Sequence, residues 1–249
     1  MTPTLTLDDD GVATIRLDRP QHLNRLHRED LQVLQRQIAA LAVEPRARVL
    51  VLTGQGRMFC AGFHIGELDS ADDPRLFEAT VDALEALPLP SIARLNGSLY
   101  GGATDLALAC DFRVGVRGME LRMPAASLGL HYYASGLQRY ITRLGLPAAK
   151  RLFLLAEAVP AEALRALGYL DELVDADALD AAVARLVHAL AANAPLAVRG
   201  MKQSLNELAR GAADPARLAE RIARCAASED LREGRAAFAQ RRAPVFRGR

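Results

Sequence analysis

Two glycine-bearing turns carry the residues whose types and spacing could do chemistry. MFCAGFHIGEL follows the apolar run RVLVLTG, and NGSLYGGATDLALACD follows SIARL. Each pattern predicts a strand that runs into a turn and then a helix, and such a turn leaves backbone N–H groups without partners. Glycine lets a ligand oxygen approach those donors closely. Two such turns could converge on one carbonyl oxygen and form an oxyanion hole, which stabilises the negative charge that develops on a thioester or ester carbonyl.

One acidic residue stands out beside the second turn. Asp105 is the only acid in GGATDLALAC, and its spacing places it on one helix face with Leu108 and Ala109. A carboxylate on an apolar stripe is costly to bury, which favours a functional role. Alternatively, an acid in the first helical turn only complements the helix dipole. Asp105 is therefore a candidate for proton transfer.

The segments that must position these residues alternate between strand and helix patterns. TLTLD and VATIRLD flank the turn signal DDDG and predict an opening hairpin. Leu31, Leu34, Ile38 and Leu41 recur at helical spacing and predict an amphipathic helix over about 28–43. RVLVLTG and SIARL read as buried strands. The repeated strand, loop and helix predict an α/β core.

The last third of the chain changes character. Ala and Leu dominate it, whereas the β-branched runs lie before Val116. The patterns predict a short helix at 66–70, a helix at 74–87, strands at FRVGV and ELRM, and helices at 136–144, 147–156, 177–192, 195–209 and 215–239. We therefore predict a core over 1–194 that carries the site, and a helical C-terminal region over 195–249 that serves oligomerisation.

Composition narrows the function classes. The 249 residues carry 31 basic and 30 acidic side chains, a net charge of +1, so neither nucleic acid nor a membrane surface is an expected partner. Cys60, Cys110 and Cys225 form no CxxC or CxxH pattern, which favours a reducing compartment and disfavours a metal site. The N-terminus lacks a basic start and an apolar region, so we expect a cytoplasmic protein.

Several segments in order resemble the crotonase, or enoyl-CoA hydratase/isomerase, superfamily over nearly the whole chain. They are LDRPQHLNRL, FCAGFHI, NGSLYGGATDLALACDFRV, MPAASLGL, SGLQRYITRLG, APLAVRGMKQSLNE and FAQRRAPVFRGR. The resemblance implies a crotonase-like (ClpP/crotonase) spiral of ββα units with a helical C-terminal region. It also implies an acyl-CoA thioester substrate, no cofactor beyond that coenzyme A, and a homotrimer or dimer of trimers. Val198, Met201, Leu205 and Leu208 supply an apolar stripe suited to such assembly.

The resemblance also assigns the reacting groups. The oxyanion-hole donors are the backbone N–H groups of Phe63 and Gly102. Asp105 matches the position of a catalytic glutamate in the family's hydratases, whereas their second carboxylate matches Ala125, which cannot transfer a proton. Tyr133 aligns with an acid of the dehalogenase and dienoyl-isomerase branches. His131 and Tyr133 are candidate proton donors or acyl-positioning groups, although such residues in a loop can serve packing alone.

Two segments match the family's coenzyme A contacts. His22, Leu23 and Arg25 lie in the first loop, where Arg25 suits a phosphate group and a solvated surface arginine is the alternative. The first turn supplies further candidates for substrate binding, namely Ala61, Phe63, His64 and Ile65. The ring of Phe63 is expected to narrow the acyl pocket.

Together these features favour acyl-CoA chemistry through a thioester enolate. A single acid/base suits a double-bond shift, because no second group need activate water. Isomerisation is therefore the first hypothesis. The alternatives are a hydratase in which Asp105 works with His131 or Tyr133, an acyl-CoA hydrolase or decarboxylase, and a non-catalytic acyl-CoA-binding protein.

Overall fold

The computed structural model describes residues 1–64, 66 and 73–249, and it opens with the predicted hairpin. Strand β1 (Thr4–Leu7) pairs antiparallel with β2 (Val12–Leu17). Gly11 closes the turn with a φ of +82°, and a Cβ there would lie 2.4 Å from the carbonyl oxygen of Arg46. This position therefore requires glycine.

The main sheet is parallel beyond the hairpin. Besides β1 and β2 it contains β3 (Val49–Gly54), β4 (Ser91–Leu95), β6 (Phe112–Val116) and β9 (Glu172–Val174). Within the described residues these six strands lie in the order β1-β2-β3-β4-β6-β9. Every residue of β3 is buried, as expected for a parallel strand covered on both faces. The strands predicted at RVLVLTG, SIARL and FRVGV are confirmed.

A second, smaller sheet lies beside the site. Its described strands are β5 (Leu99–Tyr100), β7 (Glu120–Arg122) and β8 (Ala158–Pro160). The ELRM strand is thereby confirmed as β7. Strands β5, β8 and β9 were not predicted, because two or three residues are too short to show an alternating pattern.

Helices fill the connections between strands. They are α1 (Arg28–Val43), α2 (Asp73–Ala86), α3 (Gly102–Leu108), α4 (Ala134–Leu144), α5 (Leu146–Lys150), α6 (Ala161–Ala166) and α7 (Leu179–Ala191). The helix predicted over 28–43 is confirmed at both ends, and Leu31, Leu34, Ile38 and Leu41 are buried. The helix predicted at 66–70 falls on a segment of which only Gly66 is described.

The C-terminal region consists of α8 (Pro195–Ala209), α9 (Pro215–Ala227) and α10 (Glu229–Gln240). The prediction of one helix over 215–239 is wrong. Ser228 adopts an extended conformation with ψ of 153°, and its hydroxyl oxygen accepts the Leu231 N–H at 3.0 Å, so it ends one helix and caps the next. The boundary proposed at 194/195 stays a prediction.

The helix predicted over 147–156 is likewise wrong in detail. Helix α5 ends at Lys150, and Arg151–Leu155 form a π-helical turn that stops at Ala156, whose φ is +50°.

Among the described residues no single helix is long and apolar enough to cross a membrane. One pair, Ala176–Ala191 and Pro195–Ala209, meets the length and composition criteria together but is bent by 104°.

Candidate active site

The two glycine turns meet in space. Gly62 has a φ of +91°, and a Cβ there would lie 2.6 Å from the Tyr100 carbonyl oxygen and 3.4 Å from the Gly102 nitrogen. The Tyr100 N–H donates to the Cys60 carbonyl oxygen at 3.1 Å. Only glycine at position 62 lets the first turn approach the second so closely. The convergence expected from the sequence is therefore present.

Both predicted donors lack a hydrogen-bond partner within the described part of the chain. Leu26 bridges the first turn, because its N–H donates to the Gly62 carbonyl oxygen at 2.8 Å and its own carbonyl oxygen accepts the His64 N–H at 2.9 Å. Phe63 lies between these bonds, so its N–H points away from Leu26. Gly102 begins α3, where backbone N–H groups have no intrahelical partner. Among the described residues, neither the Phe63 nor the Gly102 N–H donates to another protein group.

A cavity of about 190 Å³ opens at these turns, and aromatic rings line much of it. The rings of Phe63 and Phe77 lie 6.1 Å apart, and those of Phe77 and Tyr133 lie 6.2 Å apart. A Cβ on Gly102 would lie 2.5 Å from Cζ of Phe77, so this ring packs on the glycine. The Phe63 ring therefore lines the cavity beside the paired turns. That it narrows an acyl pocket stays a prediction.

Asp105 lies behind the cavity and is fully buried. Its Oδ2 accepts a short hydrogen bond from the Tyr133 hydroxyl and a longer one, at 3.2 Å, from the Tyr132 hydroxyl. Both tyrosines line the cavity, whereas Asp105 is not among its described lining residues. Tyr133 thus connects the cavity to the carboxylate.

An arginine neutralises this buried acid. Nη1 of Arg139 donates to Oδ1 of Asp105 at 2.7 Å, and neither side chain is exposed to solvent. The same guanidinium contacts Asp82 at 2.6 Å and Glu85 at 2.9 Å. Buried charges are tolerated when they are paired in this way.

The electrostatics keep both tyrosines protonated. Burial, and next the negative charge of Asp105, raise the pKa of Tyr133 above its ordinary value. The same two causes raise the pKa of Tyr132. Burial lowers the pKa of Arg139, but the Asp105 carboxylate outweighs it and raises the pKa overall. At neutral pH the site therefore contains the neutral phenols of Tyr132 and Tyr133 beside the ion pair of Asp105 and Arg139.

Comparison with known proteins shows the family of this chain. The sequence model of the family Enoyl-CoA hydratase/isomerase matches residues 8–249. The chain belongs to this family. It is 31% identical to the 2,3-dehydroadipyl-CoA hydratase of Escherichia coli, with 96% of each chain covered. It is 30% identical to an enoyl-CoA isomerase/hydratase of Mycosarcoma maydis, with 100% of this chain and 97% of that protein covered.

Solved structures agree with this assignment. The enoyl-CoA hydratase of Bacillus anthracis matches with a TM-score of 0.90 at 27% identity, over the whole of both chains. The crotonase-like α/β fold with a helical C-terminal region is therefore confirmed. Membership of the family also supports an acyl-CoA thioester as the substrate.

This enoyl-CoA hydratase/isomerase family member lacks a carboxylate at one expected position. Ala125 is 7% exposed and lines the cavity. None of the described residues that line the cavity is Asp or Glu. His131 lines the cavity but is exposed, and its Nδ1 lies 2.8 Å from the Tyr132 carbonyl oxygen. The structure thus brings Tyr133 to Asp105 and leaves His131 at the rim.

The first loop lies against the first turn, as the coenzyme A assignment requires. The Ala61 N–H donates to the Leu23 carbonyl oxygen at 2.9 Å. His22 is exposed, and Leu23 and Arg25 are partly buried. The ring of His64 stacks on His27 with centroids 5.0 Å apart. Ile65 lies outside the described residues. The roles of these residues in binding stay predictions.

Sequence reasoning missed three residues that build the site. Asn24 is buried with a φ of +55°, and its Nδ2 donates to the carbonyl oxygens of Gln55 and Met58, each at 2.8 Å, which fixes the first loop. Arg139 pairs with Asp105. A Cβ on Gly136 would lie 2.5 Å from Tyr132 and 2.9 Å from Oδ2 of Asp105. The glycine inside SGLQRYITRLG was the available signal for that close approach.

Proposed function

We propose that this protein converts an enoyl-CoA thioester through an enolate intermediate. The enolate oxygen accepts hydrogen bonds from the N–H groups of Phe63 and Gly102, and one proton moves through Tyr133 and Asp105. The observation that carries the proposal is the Tyr133 hydroxyl, which lines the cavity beside both turns and bonds to the buried carboxylate.

The proton moves by a relay. The C–H bond at the carbon α to the thioester breaks, its proton passes to the Tyr133 oxygen, and the phenol proton passes to Asp105. The electron pair moves to the thioester oxygen, where the paired N–H groups stabilise it. In the reverse sense the relay delivers a proton to the γ-carbon. The net reaction shifts a 3-enoyl thioester to the conjugated 2-enoyl isomer.

The number of proton-transfer groups at the site favours this double-bond shift. Hydration needs one group to activate water and another to protonate the α-carbon. Asp105, reached through Tyr133, is one such group, and Ala125 stands where the second is expected. A shift within the allylic system needs only one group that takes and returns a proton.

Hydration is the second candidate, and the names of the relatives favour it. The E. coli protein is named a hydratase, and a relative from Syntrophomonas wolfei, 29% identical, is named crotonyl-CoA hydratase. In this protein, hydration would pair Asp105 with Tyr133 or His131. Hydrolysis, decarboxylation and binding without turnover are the remaining alternatives.

A panel of coenzyme A thioesters separates these reactions. Purified protein is incubated with 3-enoyl, 2-enoyl, saturated and malonyl-type thioesters, and products are identified by mass spectrometry and by the absorbance of the conjugated enoyl thioester. We expect a 3-enoyl substrate to give the conjugated 2-enoyl isomer, with no water added across the double bond of the product. Faster conversion of a 2-enoyl substrate to a 3-hydroxyacyl thioester would replace isomerisation with hydration.

Calorimetry tests the coenzyme A assignment independently of turnover. We expect a saturated acyl-CoA to bind and the matching free acid not to bind, because the first loop would contact the coenzyme A portion. Arg25→Ala should weaken acyl-CoA binding, whereas Arg36→Ala, a change on α1, should not. Equal affinity for the thioester and the free acid would contradict the assignment.

We further propose assembly as a trimer or a dimer of trimers through the C-terminal region. Met201, Leu205 and Leu208 are 59%, 66% and 56% exposed in the single chain, and they form an apolar stripe on α8. Sedimentation should give a trimeric or hexameric mass that Leu205→Glu reduces, while a surface change on α7, Arg185→Glu, should not. A monomeric wild type would contradict this assembly.

A further inference from the structure

We propose that Arg139 is a positioning residue that anchors the Asp105 carboxylate and keeps it aimed at Tyr133. This proposal rests on the proposed function, because it assigns Arg139 a role in the same proton relay. Arg139 does not line the cavity and acts on the substrate only through Asp105.

The two oxygens of Asp105 have separate partners. Oδ1 accepts from Nη1 of Arg139 at 2.7 Å, whereas Oδ2 accepts from the hydroxyls of Tyr132 and Tyr133. A carboxylate anchored through one oxygen cannot rotate freely, so its other oxygen stays directed at the tyrosines. Arg139 thus determines which oxygen receives the proton.

Arg139 is itself fixed by other acids. Its Nη2 donates to Oδ1 of Asp82 at 2.6 Å, and its Nε lies 2.9 Å from Oε2 of Glu85 as a charge contact without hydrogen-bond geometry; both acids are on α2. The planar guanidinium presents donors in a rigid fork, so one side chain can contact three carboxylates at once. The ammonium group of a lysine could not satisfy all three positions.

The charged groups around Asp105 within the described residues form one network. The carboxylates are Asp105, Asp82 and Glu85, and the guanidinium groups that meet them are Arg139, Arg143 and Arg210. Tyr132, Tyr133, Tyr140 and Tyr169 are the neutral titratable groups that interact with Asp105. Arg139 is the cation that contacts Asp105 among the described residues. Without it, the buried carboxylate would lose that charge contact and the hydrogen bond that fixes its Oδ1.

The test compares two arginines on α4. Arg139→Met should lower kcat by about 10²-fold, the scale of a general acid or base, with KM changed less than threefold. Arg143→Met is the matched control, because Arg143 contacts Glu85 at 3.1 Å and the Cys110 carbonyl oxygen but not Asp105. It should lower stability and leave kcat and KM close to those of wild type.

Two further variants separate positioning from folding. Arg139→Lys keeps the charge but loses the planar fork, so its kcat should lie between those of Arg139→Met and wild type. This variant decides the question if Arg139→Met does not fold. In an Asp105→Asn background, Arg139→Met should cause no further loss of kcat. An equal further loss there, or wild-type kcat in Arg139→Lys, would overturn the positioning role.

These outcomes also separate this proposal from the proposed function. Full activity in Asp105→Asn would contradict the proton relay itself. A strong loss in Asp105→Asn combined with wild-type kcat in folded Arg139→Met would retain the relay and remove only Arg139 from it.

Discussion

The two halves of the candidate site are built in different ways. One half is backbone: the N–H groups of Phe63 and Gly102 lie on two turns so close that a Cβ built on Gly62 would lie 3.4 Å from the Gly102 nitrogen. The other half is side chain: Asp105 on α3, Tyr133 before α4, and Arg139 within α4. The backbone half depends on two short segments, whereas the side-chain half exists only after α2, α3 and α4 pack together.

The difference predicts how each half responds to substitution. Most side-chain changes leave a backbone N–H in place, so the oxyanion donors are insensitive to all but proline or a change in turn geometry. A single substitution removes a member of the Asp105, Tyr133 and Arg139 set. Variants of the side-chain half should therefore show the larger and more frequent losses of activity.

The largest expected effect is that of Asp105→Asn. The amide cannot take up the relayed proton, so kcat should fall by about 10² to 10⁴-fold. Asp111→Asn is the matched control, because Asp111 is bonded to Ser91 at 2.7 Å and paired with Lys202 at 2.7 Å, away from the cavity. Steady-state kinetics with the best thioester of the panel measures both. Equal losses in the two variants would indicate a structural effect.

Removal of the Gly102 N–H should have the next largest effect. Because any Cβ at Gly102 would meet Phe77, the comparison is made in a Phe77→Ala background. There Gly102→Ala keeps the N–H and Gly102→Pro deletes it at the first helical position, where proline is tolerated. The proline variant should be slower by about 10² to 10³-fold, the scale of one oxyanion donor. Equal kcat in the two folded variants would remove Gly102 from the oxyanion hole.

The two tyrosines should differ in a graded way. Tyr133→Phe should lower kcat by about 10 to 10²-fold, since water can partly replace the lost hydroxyl as a bridge. Tyr132→Phe should have a smaller effect, because its bond to Asp105 is 3.2 Å long and Tyr133 is still present. The ratio of the two kcat values is the measurement. A larger loss in Tyr132→Phe would indicate that Tyr132, and not Tyr133, carries the proton to Asp105.

The smallest effect concerns stability at alkaline pH. Burial raises the pKa of the Cys60 thiol, in the first turn, and of the Cys110 thiol from 9.0 to about 12. Above pH 9 the unfolded chain loses these protons while the folded chain keeps them, so the free energy of unfolding falls as pH rises toward 12. Below pH 9 both states keep the protons and the contribution is complete.

Urea unfolding at several pH values tests this sign. The free energy of unfolding should decline above pH 9, and Cys110→Ala should decline less steeply than wild type. The slope is limited to about 1.4 kcal/mol per pH unit for each thiol. Identical slopes for the two proteins would show that the Cys110 thiol titrates alike in the folded and unfolded chains.

The backbone half was predictable because its signals are local. The glycines of AGF and YGG and the strands before them are visible in short segments. Helix α1 likewise agrees with the prediction of about 28–43, because its apolar spacing is regular. The sequence pattern predicted α9 and α10 as one continuous helix, because Ser228 can continue a helix as readily as cap one.

The side-chain half was only partly predictable. Asp105 and Tyr133 were singled out, and the hydratase alternative paired Asp105 with either His131 or Tyr133. The choice between them depends on a hydrogen bond that spans 28 positions in sequence and on how α3 packs against α4. Arg139 gave no signal, since an arginine in an amphipathic helix is usually solvated and this one is fully buried. Tertiary contact, not local pattern, defines that part of the site.

Exchange of the α-hydrogen tests the central claim most directly. A saturated acyl-CoA is incubated with the protein in D₂O, and deuterium at the carbon α to the thioester is followed by NMR and mass spectrometry. The account predicts exchange with wild type, slower exchange with Tyr133→Phe and almost none with Asp105→Asn, whether the full reaction is isomerisation or hydration. Equal exchange rates in wild type and Asp105→Asn, or no exchange in a wild type that binds the thioester, would contradict enolate formation through this relay.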